Sequence, residues 1–392
     1  MEVFGQHVPQ KRWVQSSLRA ALLIFSTVLS PTSKNQYLME SIPKFTEVDF
    51  FLTYKCNCKC SYCFIQDSGS DIVMAPDLLD ESIDWIVRHG GSNIYLSFFG
   101  GEPTLEPDLI ERAVQRCRSW EKRHPVLFSF GMTTNALSID EKLAAKLAEW
   151  GVHYLVSIDG YGERHNMSRP ARFTEDPFEI IRSRFSLFKQ YQQHITARLT
   201  VLPSLVKGLC DDLIKLQQMG FDSFIIAPAF GMHWSLEKSQ QYVEELVRFA
   251  SGRAIKNGHP VPKMTPIDSP VQGNRTWGCA AGRQRISIDP RGKIFACARM
   301  TRLDEEDGLS FGDIFKGIDP EGNITRFQDT TYESRLECID CLMREKCIGG
   351  CPAANWKANQ SVVKPDQDQC RMTHALEKIK QQVYSNQTTM SA

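Results

Sequence analysis

Three cysteines in the first sixth of the chain have the spacing of a metal-cluster loop. Cys56, Cys60 and Cys63 form the pattern C-x3-C-x2-C within the run C-N-C-K-C-S-Y-C. Three thiolates on a short loop suit a [4Fe–4S] cluster, which accepts four ligands, so one iron stays open for a small molecule. A zinc site with a fourth ligand elsewhere is the alternative. Cys58 breaks the spacing and is predicted to be a bystander, with substitution for one of the three ligands as the alternative.

A second set of cysteines lies near the C-terminus. Cys297 ends a G-x4-C pattern that starts at Gly292. The full set consists of Cys279, Cys297, Cys338, Cys341, Cys347, Cys351 and Cys370. These seven thiols fit poorly to a zinc ribbon, which needs four or eight ligands. The chain has 13 cysteines, and this odd total disfavours a fully paired disulfide framework.

Composition excludes several other classes of protein. Lys and Arg total 46, as do Asp and Glu, and no basic stripe for a nucleic acid is visible. The apolar run from Ala20 to Leu29 follows three basic residues but is too short to span a bilayer, which takes about 20 residues. We expect a surface or packing helix there. The alternatives are an export signal, or translation that starts at Met39. No membrane partner is expected.

Strand-like and helix-like segments alternate from about residue 46. The predicted strands are Glu47–Thr53, Asn93–Phe98, Val126–Met132, His153–Ile158, Ile195–Leu202 and Asp222–Pro228. Amphipathic helices separate them, and parallel neighbours need such crossovers. Six units predict an α/β fold, either a partial barrel or a doubly wound sheet, with ligands at the carboxyl ends of the strands.

The alternation stops after about Gly231. A helix around Ser235–Ala250 leads into a proline-rich connector, and the chain beyond Trp277 is rich in cysteine and glycine. The predicted organisation is an N-terminal extension (1–45), a strand–helix domain (46–232), a helix and linker (233–275), a cysteine-rich domain (276–372) and a C-terminal tail (373–392).

Polar groups follow the predicted strands where ligands are expected. The second strand is followed by Gly100-Gly101-Glu102-Pro103, the third by Thr134-Asn135, and the fourth by Asp159. Each is an ordinary loop residue by itself. Their shared placement, together with the cysteine loop after the first strand, indicates one site at this edge of the sheet.

These motifs, with Tyr62 before the third cysteine and S-I-D-G at the fourth strand, resemble the radical S-adenosylmethionine (SAM) superfamily over about residues 46–230. The resemblance implies a partial (β/α)6 TIM-like barrel. It also implies that the open iron binds the amino and carboxylate groups of S-adenosylmethionine. Cleavage of that cofactor yields a 5′-deoxyadenosyl radical that abstracts a substrate hydrogen.

The resemblance also implies roles for single residues. The backbone of Gly100, Gly101, Glu102 and Pro103 would hold the methionine amine. The further cofactor contacts that it implies are Tyr62 near the adenine, Asn135 in the third loop, Ser157 and Asp159 at the carboxylate or ribose, and Arg169 and Arg198 as carboxylate partners. The family often has T-N-G where this chain has Ala136 after Asn135, a departure that concerns the local loop shape.

The C-terminal cysteine spacing resembles the SPASM domain, an auxiliary-cluster module of radical SAM enzymes. By that resemblance two further [4Fe–4S] clusters are held, for a total of three. Cys279, Cys297 and Cys351 would hold the first, and the second would be held by Cys338, Cys341, Cys347 and Cys370. Some relatives have an eighth cysteine shortly after the first, but here Ala280-Ala281-Gly282 follows Cys279, so the first of these clusters is expected to keep an open iron.

SPASM relatives mostly modify peptides or proteins, so we expect a peptide-modifying enzyme, in particular one that crosslinks a ribosomally made peptide. The alternatives are a sulfatase maturase, a small-molecule dehydrogenase or epimerase, and a non-catalytic Fe–S or Zn protein. Sulfatase maturases carry an Asp base directly after the G-x4-C cysteine, where this chain has Ala298, so that alternative is disfavoured. The expected partners are a peptide or protein substrate and a reductant such as flavodoxin or ferredoxin, and the expected location is cytoplasmic.

Overall fold

The computed structural model describes most of the chain from residue 44 onward. The described residues are 44–65, 71–252, 263–265, 279–303, 308–328, 330, 334–344, 347 and 349–377. They belong to one compact unit. The predicted apolar helix at Ala20–Leu29 and most of the proline-rich connector lie outside the described residues.

Six parallel strands form the centre of the fold in their sequence order. They are β1 (Phe45–Thr53), β2 (Gly90–Gly100), β3 (Leu127–Thr134), β4 (Val152–Ser157), β5 (Thr196–Val201) and β6 (Ser223–Pro228). Each pairs in parallel with the next. The predicted α/β fold with six parallel strands is confirmed, and the predicted ligand edge is the one where all six strands end.

Helices connect these strands, as crossover connections require. They are α1 (Pro76–His89), α2 (Pro107–Glu121), α3 (Glu141–Trp150), α4 (Glu163–Ser168), α5 (Pro177–Tyr191), α6 (Leu209–Met219) and, after β6, α7 (Leu236–Gly252). The helix α3 begins and ends at the capping residues that the sequence predicts. The Asp140 side chain accepts a hydrogen bond from the Leu143 N–H at 2.8 Å, and Gly151 ends the helix with a φ of 69°. The short helix α4 was not expected.

The cysteine-rich part continues the same sheet. The linker adds β7 (Lys263–Thr265) beside β6. The strands of the cysteine-rich part are β8 (Arg285–Ile288), β9 (Lys293–Phe295), β10 (Gly312–Asp313) and β11 (Gly317–Ile318), and its helices are α8 (Thr325–Gln328) and α9 (Pro352–Asn359). The sheet order is β11-β10-β9-β8-β1-β2-β3-β4-β5-β6-β7. Because β8 pairs in parallel with β1, the loops that carry Cys279 and Cys297 border the first strand of the barrel.

A row of polar side chains crosses the sheet at this junction. Asp49 on β1 is in register with Ser97 on β2 and with Ser287 on β8. The alternate β1 residues Val48, Phe50 and Leu52 are almost fully buried, as the period-two alternation of a strand predicts. One face of β1 therefore packs into the core, and the other carries the polar Glu47 and Asp49 between the buried Phe45 and Phe51.

Candidate active site and cysteine clusters

The first cysteine loop leaves the carboxyl end of β1 and is pinned by the segment after α4. Cys58 forms an antiparallel bridge with Ala171. The Lys59 N–H donates to the Pro170 carbonyl at 2.7 Å, and the Arg172 N–H donates to the Asn57 carbonyl at 2.8 Å. These bonds fix the loop against the edge of the sheet near the end of β4.

The thiols of this loop interact directly. The Cys58 N–H donates to the Cys56 Sγ at 3.4 Å, and the buried Cys58 thiol hydrogen-bonds to both Cys56 and Cys60. The bond from Cys58 is the main reason that the pKa of Cys60 falls to about 7, with the Arg169 charge adding to it against the opposing effect of burial. A low pKa favours the thiolate, which is the form that binds metals. Cys63 packs against the apolar cluster of Phe51, Tyr54 and Ile65.

The Gly100-Gly101 backbone lies against the end of β1. The Gly101 N–H donates to the Thr53 carbonyl at 2.9 Å, and the Glu102 N–H donates to the Lys55 carbonyl at 2.8 Å. A Cβ on Gly101 would lie 2.0 Å from the Lys55 oxygen, so no larger residue fits. The glycine allows the second loop to approach the base of the cysteine loop.

The Glu102 carboxylate is buried and holds two loops together. It accepts hydrogen bonds from the Thr104 hydroxyl at 2.6 Å, the Thr134 hydroxyl at 2.7 Å and the Asn135 N–H at 2.7 Å. Burial raises the pKa of this carboxyl, and the three donors act against that increase. The side chain therefore has a structural task, and Pro103 next to it begins a short 3-10 helix.

Asn135 connects the third loop with the cysteines. Its Nδ2 donates to Asn57 Oδ1 at 2.6 Å and lies 3.4 Å from the Cys58 Sγ. The following Ala136 has a φ of 62° and is fully buried. The chain therefore keeps a left-handed conformation that usually favours glycine, so the substitution in the T-N-G pattern leaves the turn in place.

Asp159 gathers three of the predicted cofactor contacts. Its Oδ2 accepts from the Tyr62 hydroxyl and forms a buried ion pair with Arg169 Nε at 2.7 Å. Its Oδ1 accepts from the Thr200 N–H at 2.7 Å. Arg169 Nη1 lies 3.8 Å from the Cys60 Sγ, so the end of β4 and the cysteine loop meet at this cluster of charges.

Arg198 stands next to this cluster on β5. It is in register with Ser157, which is buried at the end of β4. Its Nη1 donates to the carbonyls of Leu199 at 2.8 Å and Ile225 at 3.3 Å. Burial, reinforced by the nearby charge of Arg299, lowers the pKa of Arg198 to about 10.

Three C-terminal cysteines lie together beside β1. The pKa of the Cys297 thiol is raised by burial and then by the neighbouring Cys351, Cys279 and Asp49. Asp49 Oδ2 accepts a long hydrogen bond of 3.4 Å from the N–H of Ala298. Burial raises the pKa of this carboxyl as well.

The remaining four C-terminal cysteines form a separate group. The pKa of Cys370 is raised by burial and then by the thiols of Cys347, Cys338 and Cys341. The Cys341 Sγ also lies 3.5 Å from the Nε2 of His374. These two groups are the sets of three and four that the resemblance to the SPASM domain implies, and their role as cluster ligands stays a prediction.

The donor chemistry of all three groups fits iron–sulfur clusters. Backbone N–H groups are directed at cysteine sulfurs, from Met343 to Cys341 at 3.4 Å and from Gly349 to Cys347 at 3.3 Å, and such bonds tune cluster sulfurs. Among the described residues, no three His, Cys, Asp or Glu side chains are arranged around the position of a single metal ion. In a four-iron cluster each cysteine binds its own iron, so its ligands need not converge on one point.

Comparison with known families identifies the chemistry. Residues 50–215 match the radical SAM superfamily model, over the strands and loops that carry the cysteine loop and the Asp159 cluster. This segment of the chain is a radical SAM domain. Radical SAM enzymes use a [4Fe–4S] cluster and S-adenosylmethionine, so the resemblance of the sequence and the predicted enzyme class are confirmed.

Curated relatives of this radical SAM enzyme span most of its length. The radical SAM cyclopropyl synthase TigE of Paramaledivibacter caminithermalis is 20% identical over 353 residues, which cover 82% of this chain and 71% of TigE. A cysteine-type anaerobic sulfatase-maturating enzyme of Clostridium novyi is 26% identical over 328 residues, covering 76% of this chain and 84% of the relative.

Solved structures share the fold well beyond the barrel. Native anSMEcpe with bound AdoMet and the Cp18Cys peptide superposes with a TM-score of 0.70 at 20% identity, over 87% of this chain and 99% of the other. Streptococcus suis SuiB bound to the precursor peptide SuiA gives a TM-score of 0.59 at 14% identity, over 94% of this chain and 84% of SuiB. The common architecture therefore includes the cysteine-rich part of the radical SAM enzyme.

Several residues of the site escaped the sequence analysis. Asp49, Arg299 and His374 reach the cysteines through contacts between distant parts of the chain, and no local motif marks them. Cys58 was visible as an extra cysteine, but its contact with two thiols depends on the folded loop. No described helix is long and apolar enough to cross a membrane.

Proposed function

We propose that this radical SAM enzyme modifies a peptide substrate by forming a crosslink in a ribosomally made precursor. The observation that carries the proposal is the assembly of the seven C-terminal cysteines into sets of three and four next to the barrel. A role as a simple SAM-cleaving domain would not need these thiols. SuiB was solved with a precursor peptide, which supports a peptide substrate, and TigE is named a cyclopropyl synthase, which supports the formation of a new bond.

In this proposal each cysteine set holds one [4Fe–4S] cluster. Cys56, Cys60 and Cys63 hold the cluster that binds S-adenosylmethionine. The auxiliary clusters are held by Cys279, Cys297 and Cys351 and by Cys338, Cys341, Cys347 and Cys370. When bound, the first cluster and S-adenosylmethionine supply a 5′-deoxyadenosyl radical that takes a hydrogen atom from the substrate.

The surrounding residues bind and orient the cofactor. The Gly100–Pro103 backbone would hold the amino group of the methionine, and Asn135 would lie in the neighbouring loop. Asp159 holds Tyr62 and Arg169 in fixed positions through buried bonds, so an adenine-facing ring and a cationic group are preorganised before the cofactor arrives. Ser157 and Arg198 would contact the carboxylate or the ribose of S-adenosylmethionine.

The proposal includes an electron donor and a compartment. A reducing partner such as flavodoxin or ferredoxin supplies electrons to the first cluster. Thiolate ligands need a reducing environment, and no disulfide joins the described cysteines. We therefore place the enzyme in the cytoplasm in this proposal.

Sulfatase maturation is the second candidate, because a sulfatase-maturating enzyme matches over 76% of this chain. In that family an Asp after the G-x4-C cysteine removes the substrate proton, and Ala298 has no group that accepts one. The test is to incubate the reconstituted enzyme with a peptide bearing C/S-x-P-x-R. An unmodified peptide together with 5′-deoxyadenosine release is expected, and efficient formylglycine formation would establish the second candidate instead.

The main experiment uses the anaerobically reconstituted full chain with S-adenosylmethionine and a reductant. Short peptides encoded beside its gene are added, and their masses are followed. We expect 5′-deoxyadenosine and a peptide that has lost two hydrogens, one as the atom taken by the radical and one as a proton, with the remaining electron passed to an auxiliary cluster. Cofactor cleavage with no modified peptide from any neighbouring reading frame, but with conversion of a small molecule, would contradict the proposal.

A further inference from the structure

The proposed cluster at Cys279, Cys297 and Cys351 has one cysteine fewer than the other auxiliary cluster. A four-iron cluster accepts four ligands, and the residues that follow Cys279 are Ala280-Ala281-Gly282. A fourth protein ligand therefore has to come from another element of the fold. Such a residue must lie close to the loops that carry the three cysteines.

Hydrogen bonds hold the three cysteine segments together. The N–H of Gly282, on the first of the three loops, donates to the Ala296 carbonyl at 3.0 Å. Arg299 Nη1 lies 3.4 Å from the Cys351 Sγ. Because Ala296 and Arg299 flank Cys297 in the sequence, the three segments meet at the turn that follows β9.

The carboxylate of Asp49 reaches the same turn from β1. Its Oδ2 accepts a hydrogen bond of 3.4 Å from the Ala298 N–H, which belongs to the peptide bond after Cys297. The pairing of β1 with β8 fixes this approach, since Asp49 is in register with Ser287 and accepts a bond of 3.4 Å from its hydroxyl. The order of the strands therefore places a carboxylate beside one of the proposed ligands.

The protein satisfies this carboxylate poorly. The side chain is only partly exposed, on a strand with neighbours on both sides. Its two hydrogen bonds are longer than the usual range and reach the same oxygen. No described residue donates a hydrogen bond to Oδ1 or forms a salt bridge with Asp49, and the nearby Arg285 has Glu47 as its ion-pair partner.

The other buried carboxylate at this edge of the sheet shows the contrast. Glu102 accepts hydrogen bonds of 2.6 Å and 2.7 Å from two hydroxyls and one of 2.7 Å from a backbone N–H. Charged groups inside a protein are normally paired, hydrogen-bonded or bound to a metal. Asp49 lacks the first and has only long bonds of the second kind, so a metal is the partner that its position favours.

Resting on the proposed function, which places an iron–sulfur cluster at the three cysteines, we propose that the Asp49 carboxylate is the fourth protein ligand of that cluster. Carboxylate oxygens are ordinary ligands of iron in proteins. Oδ1 binds the iron, and the bonds from Ser287 and from the Ala298 N–H orient the carboxylate through Oδ2. The cluster then has no iron open to the substrate, and its task in the proposed crosslinking is to accept the electron that the substrate loses.

The test detects the ligand directly in the full chain. The protein is made by cell-free synthesis with aspartate that carries carbon-13 in its side-chain carboxyl, reconstituted anaerobically and reduced. Electron–nuclear double resonance of the reduced clusters should show a hyperfine coupling to carbon-13. The coupling should disappear in Asp49→Ala and persist in Glu47→Gln, the matched control that removes a carboxylate from the same face of β1.

Asp49→Cys keeps the test decisive if Asp49→Ala does not retain its clusters. This variant replaces the carboxylate by a thiolate, so it should hold about twelve irons, as the unmodified chain should, and show no carbon-13 coupling. A coupling that persists in either Asp49 variant overturns the inference, because another aspartate is then the ligand.

Iron content separates this inference from the proposed function. No coupling in an unmodified chain that holds about twelve irons overturns the inference but leaves the three clusters and the peptide substrate in place. An unmodified chain with about eight irons or fewer contradicts the proposed clusters themselves.

Discussion

The two cysteine regions of this radical SAM enzyme are built in different ways. The loop from Cys56 to Cys63 lies at the end of a parallel sheet, and buried carboxylates fix the groups around it. Glu102 joins the loops after β2 and β3, and Asp159 joins the ends of β4 and β5. The C-terminal cysteines lie in loops with short elements, where thiols contact other thiols and backbone N–H groups.

This difference indicates where each site gets its shape. The sheet and the hydrogen bonds of Glu102 and Asp159 fix the groups around the first site, so we expect this region to keep its shape when the cluster is removed. The second region has less regular structure between its ligands, so we expect bound clusters to supply part of its folding free energy.

The largest expected effect is on the first region. Cys60→Ala should abolish cleavage of S-adenosylmethionine because it removes one of the three proposed ligands. Cys58→Ser is the matched control, since it keeps a hydrogen-bond donor beside the same thiols and should retain cleavage. The measurement is 5′-deoxyadenosine release by chromatography. Loss of cleavage in Cys58→Ser with retention in Cys60→Ala would reverse the ligand assignment.

Removing the clusters from the whole enzyme should affect the folding of the two cysteine regions to different extents. After anaerobic chelation, hydrogen exchange should increase strongly over residues 334–377 and little over β1 to β6, because metal binding is coupled to folding in cysteine loops. Reconstitution with iron and sulfide should restore protection. Equal loss of protection in both regions would mean that the sheet does not preorganise the first site.

Asp159→Asn should destabilise the part of the fold formed by β1 to β6. The substitution leaves the buried Arg169 cation without its carboxylate partner, which typically costs about 3–5 kcal/mol. Asp71→Asn, on an exposed residue, is the control and should have no measurable effect. The free energy of unfolding by denaturant reports the difference, and a change below about 1 kcal/mol would show that Asp159 is not the structural centre of this side.

The smallest expected effect is an increase in the free energy of unfolding. Ala136→Gly should stabilise the protein by up to about 1 kcal/mol, because Ala136 has a φ of 62° that glycine adopts without strain. The same change at Ala144, inside α3, should destabilise it, since glycine is unfavourable in a helix. If Ala136→Gly is less stable than the unmodified protein, the packing of the Ala136 methyl group contributes more free energy than the strained backbone costs.

Local patterns were enough to predict most of the barrel. The predicted strand 126–132 is observed at Leu127–Thr134, and the capping signal at Asp140 marks the start of α3. Alternation, capping residues and glycine stops act over a few residues, so they can be read directly from a sequence. The two cysteine regions were also visible, because their spacing is a linear pattern, whereas the division of the C-terminal cysteines into two ligand sets came from the resemblance to the SPASM domain and stays a prediction.

Contacts between distant segments were not predictable in this way. Asp49 meets the residue after Cys297 because β8 pairs in parallel with β1, across 249 positions of sequence. Arg299 and Lys357 meet over Phe230 for the same kind of reason. Such groups become visible only when the sheet order is known, since neither residue belongs to a recognisable motif.

The most direct test of the account is the metal content of the anaerobically reconstituted chain, alone and with one cysteine set removed at a time. Three four-iron clusters predict about twelve irons per chain. Replacing Cys56, Cys60 and Cys63 by alanine should leave about eight irons, in the C-terminal sets. Replacing the set of Cys338, Cys341, Cys347 and Cys370 should also leave about eight irons and preserve cofactor cleavage. About four irons in the unmodified chain, or tightly bound zinc without the iron–sulfur absorption, would contradict the central claim that both cysteine regions hold iron–sulfur clusters.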